Sequence, residues 1–195
     1  MSLRSSSLCL AALALAIAGC SDDGQLKPAR VRVGTATTGD VVFGAVVEDT
    51  VSVYVCGGDT TFATHTRWFR DAELDDDGSF EMTLDGWTIS GSVADDRLAA
   101  SLESDMGEAL ELAGEAVAED GLAGLYTAEL DGCTTGLVVR GEGDDVQTQG
   151  TWCSDQSQFA QVIVLEPLAL TSMGIHVEVM RPDPLGVTDF YVAPF

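Results

Sequence analysis

Residues 79–93 read "SFEMTLDGWTISGSV". Phe80, Met82 and Leu84 alternate with Glu81 and Thr83. After Asp85-Gly86, Trp87, Ile89 and Val93 fall on one side and Thr88, Ser90 and Ser92 on the other. A period of two is what a strand with one wet and one dry face requires, because successive side chains point to opposite faces. Asp-Gly between two such runs marks a two-residue hairpin turn, whose central positions need positive φ. Pairing Leu84 with Trp87 sets Met82 opposite Ile89 and gathers the apolar side chains on one face.

The same register extends outward. The turn "ADDR" at 94–97 sets Val93 against Leu98, Gly91 against Ala100 and Ile89 against Leu102. A turn through "ESDMGEA" at 103–109 sets Leu102 against Leu110 and Ala100 against Leu112. A slip of one residue would turn each apolar set to water. Ser79–Leu112 is therefore expected to be an antiparallel meander. The stretch "GEALELAGEAVAED" also suits a short helix, since Ala, Leu and Glu are good helix formers; its first half is read as strand.

Similar runs lie on both sides: "DVVFGAVVEDT", "VSVYVCGG", "HTRWFRDAEL", "LAGLYTAELDG", "TTGLVVRG", "VQTQGTW", "QVIVLEP" and a last apolar strand in "VTDFYVAPF". Roughly ten strands follow, with turn signals about every 8 to 12 residues. The fold class is all-β. The pattern is that of a sandwich or a barrel, and consecutive hairpins favour an up-and-down, lipocalin-like barrel over a Greek key, because closure removes exposed strand edges.

The start of the chain carries an address. Arg4, the apolar run Leu8–Ile17 and small residues form a secretory signal too short to span a bilayer. It ends Ile17-Ala18-Gly19-Cys20, which resembles the lipobox of bacterial lipoproteins. That resemblance implies cleavage before Cys20, lipidation of its thiol and acylation of the new amino terminus. Each buried methylene contributes about 0.8 kcal/mol, and more than one chain is needed for stable anchoring. Ser21 rather than Asp follows the cysteine, which favours the outer membrane. Residues 20–40 read as a flexible polar tether and 41–195 as a single β domain.

Without residues 1–19 the chain holds 8 basic and 32 acidic side chains, a formal charge of −24. Such a surface repels nucleic acid. The acids are scattered in ones, twos and threes, as on solvated turns and strand faces.

"YVCGGD" at 54–59, "RWFRD" at 67–71 and "AGLYTAELDG" at 123–132 occur in that order. Together they resemble a family of secreted bacterial proteins with Tyr-Val-Cys-Asp-Gly, Trp-Phe-x-Gly and Ala-Gly-Leu-Tyr-Arg motifs. Gly57-Gly58, Asp71 and Thr127 depart from that pattern. The resemblance implies an extracytoplasmic β-protein and no particular chemistry.

Residues that bear chemistry are few. If the loop "GEGDD" turns around Gly143, Arg140 meets Val146 and Cys133 lands opposite Cys153, within the separation a disulfide accepts. Export to an oxidising compartment favours that bond. The alternatives are two thiols or a pairing with Cys56, which is otherwise expected to be a buried free thiol. His65 and His176 share no metal-ligand spacing. "DDDGSFE" at 75–81 resembles a calcium loop, but Gly78 is fourth where such loops need glycine sixth. No nucleophile motif, phosphate loop or dinucleotide fingerprint occurs. No cofactor, metal or enzymatic activity is expected. Trp68, Phe69, Trp87, Tyr126 and Trp152 either line a barrel mouth that takes a small apolar ligand or belong to the core. The first reading of function is a non-catalytic envelope lipoprotein working through protein contacts, and the second is a lipocalin-like ligand carrier.

Overall fold

The computed structural model describes residues 30–195 except 119, 156 and 183–185. The signal and Cys20 lie outside the described residues. The chain is all-β and antiparallel, in two barrel-like sheets.

The first sheet uses β1 (Arg30–Ala36), β2 (Val42–Val47), β3 (Thr50–Cys56), β4 (Arg67–Glu73), β5 (Ser79–Leu84), β6 (Trp87–Ala94), β7 (Arg97–Ser104) and β8 (Ala109–Ala116). A four-residue helix, α1 (Phe62–His65), sits between β3 and β4. The strand order is β4-β3-β2-β1-β8-β7-β6-β5, so pairing of β1 with β8 joins the two halves. Every pair foreseen between Ser79 and Leu112 is present, from Leu84 with Trp87 to Ala100 with Leu112. Asp85 (φ 49°) and Gly86 (φ 74°) make the turn between β5 and β6. Phe43, Phe69, Phe80, Ile89, Leu98 and Leu102 pack in this sheet's interior.

The second sheet uses β9 (Gly124–Leu130), β10 (Cys133–Arg140), β11 (Gln147–Cys153), β12 (Phe159–Val164), β13 (Leu170–Thr171), β14 (Gly174–Arg181) and β15 (Gly186–Pro194). Its order is β12-β11-β10-β9-β15-β14-β13, and a further pairing of β12 with β14 closes a ring. Leu137, Val139, Trp152, Ile175 and Val177 fill that ring. A third cluster lies between the two units, with Val42, Val46, Tyr54 and Cys56 of the first against Leu125 and Val138 of the second.

The buried side chains of the two sheets form separate clusters. Two expectations are corrected. Among the described residues there are fifteen strands rather than about ten. The last part of the tether is not a tether: Arg30–Ala36 is a strand paired with both β2 and β8. Its alternation was disguised, because Val31 and Val33 pack toward the second unit while Arg32 is the buried inward residue. The Arg32 Nη2 donates to the Asp95 carbonyl at 2.7 Å.

Candidate functional site

The five aromatic residues considered for a barrel mouth do not converge. Phe69 is wholly buried in the first core, and Tyr126 and Trp152 are in the second. Trp68 packs against the cluster between the units. Trp87 is half-buried at one end of the first barrel, under the Arg67 guanidinium (4.3 Å to the ring centre) and 5.2 Å from the His65 ring. The His65 Nε2–H donates to Glu108 at 2.8 Å, pinning the short helix over that end. Burial lowers the pKa of Arg67 from its ordinary value, against the opposing pull of Asp85 and Glu108.

The joint between the units is where polar and aromatic side chains do meet. The Tyr54 hydroxyl donates to the Gly136 carbonyl at 3.2 Å and accepts from the Thr151 amide at 3.1 Å. A Cβ on residue 136 would lie 2.6 Å from the Tyr54 ring, so only glycine lets the sheets approach this closely. The Trp68 ring sits 4.7 Å from Tyr54 and its Nε1–H donates to the Thr134 carbonyl at 3.0 Å. Phe195 stacks on Trp68 at 5.5 Å. Gln149 Nε2 donates to the carbonyls of Cys56 and Asp40, both at 3.0 Å.

Cys56 is a buried free thiol in this joint, 3.2 Å from the Thr151 hydroxyl. Burial raises the pKa of Cys56, and burial above all raises that of Tyr54, which favours the neutral form of each.

Cys133 and Cys153 are bonded, with Cα atoms 5.6 Å apart. The register that suggested the bond is corrected. Arg140 pairs with Gln147 and not Val146, because a 3-10 turn at Gly143–Asp145 takes up an extra residue. The ladder ends at Gly136–Thr151, and the cysteines meet beyond it. Peptide mapping without reduction is expected to recover both in one fragment, with Cys56 alkylated only after unfolding. Closing a loop of this separation should contribute about 3 kcal/mol, measured as the difference in denaturation between the native chain and the Cys133→Ala/Cys153→Ala variant.

Two hollows flank the linker between the units. One, about 310 Å³, is lined by Val31, Leu125, Tyr126, Leu170, Pro194 and Phe195 among others. The other, about 1150 Å³, is a wide groove between the outer face of β1, β7 and β8 and the turn after β10. The sequence signal that marks the joint is loss of alternation. "VVFGAVV" and, apart from Ser52, "VSVYVC" lack alternation because both of their faces are covered, unlike the meander beside them.

The chain matches no protein-family model, no curated protein and no solved structure.

Proposed function

We propose that this protein is a lipid-anchored envelope protein of a bacterium, held at the outer membrane through Cys20, that acts without catalysis through contacts with other proteins. The observation that carries the reading is the filling of both barrels by their own side chains. Phe43, Phe69, Ile89 and Leu102 in the first unit and Leu137, Trp152 and Ile175 in the second have no solvent exposure. A carrier of the lipocalin type needs a lumen, and here large side chains occupy that space. A ligand reading would move to the hollow of about 310 Å³ between the units, at the small end of the size range of small-molecule sites.

The lipobox supplies the location and the charge of −24 disfavours nucleic acid as a partner. Cys20→Ala is expected to shift the protein into the aqueous phase of a detergent partition, with loss of the acyl mass from the N-terminal peptide. A variant that stays with the membrane at unchanged mass would refute the anchor.

A further inference from the structure

Of the large apolar side chains left exposed among the described residues, three share one face of the second barrel. Ile163 of β12 is 57% exposed, Met180 of β14 71% and Val187 of β15 56%. The register fixes their common side. Ile175, Val177 and Val179 point into the core, so His176, Glu178 and Met180 point out. Ile163 stands opposite Glu178, and Val187 opposite Met180. The three apolar groups are therefore neighbours, where single exposed ones would need no explanation. The outer face of the meander in the first barrel is built differently. Thr83, Thr88 and Glu103 form one of its rows, and Ser90, Ser101 and Glu111 the next.

Two carboxylates stand at the centre of the apolar set. Glu178 and Asp189 are directly opposite one another across β14 and β15. Like charges in that position weaken a ladder. His176 Nε2–H donates to Asp189 Oδ2 at 2.9 Å, and the imidazole stacks on Tyr191 with ring centres 4.5 Å apart. Asp189 thus has a side-chain partner. The half-buried Glu178 carboxylate has none among the described residues. The His176–Tyr191 stack closes one side of the pair, and Ile163, Met180 and Val187 border the others. Beside Ile163, Gln161 Nε2 donates to Asp59 Oδ1 at 2.8 Å, so the loop before α1 bounds the face there.

We propose that this outer face of β12, β14 and β15 docks a partner protein through an arginine ringed by apolar side chains, its guanidinium entering between Glu178 and Asp189. Charge complementarity selects that occupant. The planar fork of N–H donors can serve both carboxylates, and apolar contacts around it exclude water from the ion pairs. A second copy centred on this face brings the same two carboxylates and is repelled, and anionic lipid head groups meet the same repulsion. This site rests on the protein-contact reading and gives it a surface.

The test uses the full chain in phosphatidylcholine nanodiscs, with empty nanodiscs as blank. The probes are two labelled fourteen-residue helical peptides with Leu, X and Leu on successive turns of one face, X being Arg in one and Glu in the other. The Arg peptide is expected to bind by fluorescence anisotropy, and the Glu peptide at least tenfold more weakly. Methyl resonances of Ile163, Met180 and Val187 are expected to shift with the Arg peptide, while that of Met106, exposed on the first barrel, stays in place. Glu178→Lys and Met180→Ser change outward-facing groups, so both variants should fold, and each should weaken binding at least tenfold. Equal binding of both peptides, binding of neither, unmoved methyls at the three positions, or full binding by Glu178→Lys overturns the proposal. Dimerisation that Met180→Ser abolishes overturns it too, assigning the face to a second copy. So does broadening of the three methyls by spin-labelled lipid without peptide, which assigns the face to the bilayer. Because lipidation is measured separately, failure here leaves the Cys20 anchor standing and removes only this surface.

Discussion

Ile89→Lys is expected to unfold the first barrel, whereas Thr88→Lys, one residue earlier, should shift stability by no more than about 0.5 kcal/mol. Ile89 has no solvent exposure, and lies between Met82 on one neighbouring strand and Leu102 on the other. A lysine there leaves an ammonium among apolar side chains with no partner, or drags the three strands apart. Either costs several kcal/mol, roughly a third or more of what holds a domain together. Thr88 points to the other face and stands opposite Glu103, so a lysine at 88 meets an opposite charge at the surface. Urea denaturation of the two variants side by side measures the contrast. Equal tolerance would mean that the meander does not have this register.

Trp152→Ala should destabilise the protein by about 3 to 5 kcal/mol. The indole is fully buried in the second core, so truncation leaves a cavity that its closed ring of strands is poorly placed to collapse. The indole N–H also donates to the Asp131 carboxylate at 3.1 Å, and the same oxygen receives the Arg181 Nη1 at 3.1 Å. That carboxylate ties the β9–β10 turn to β11 and β14. Trp152→Phe keeps most of the volume and loses the N–H, so it should cost clearly less than the alanine. Denaturation midpoints that place both variants within about 1 kcal/mol of the native chain would remove Trp152 from the core.

The parts of this fold that the sequence makes legible are those decided locally. Asp85-Gly86 with alternation on both sides fixes a hairpin, its register and its dry face, and the next two turns inherit them. Asp131-Gly132, with φ of 53° and 76°, does the same for β9 and β10. What escapes is decided by distant neighbours. β1 reads as tether because its valines face a second barrel about a hundred residues away and an arginine takes the inward place. Pairing of β12 with β14 around the short β13 has no local mark. The Cys133–Cys153 bond was foreseeable although its register was not, because two cysteines a hairpin apart lie within reach under either alignment. The aromatic residues leave two readings open for a physical reason: ring size makes them equally good for filling a core and for lining a pocket. Only the three-dimensional packing distributes them among three separate clusters.

β1 sits in the middle of its sheet, with six register partners on β2 and five on β8. Mechanically, that makes it a splice rather than a hem. A pull arriving along the chain ahead of Arg30 acts along the strand and loads both ladders in shear. Many backbone hydrogen bonds must then fail together, where an edge strand would peel away one bond at a time. Under the proposed Cys20 anchor, tension from the membrane would enter the folded body through a strand laddered on both sides.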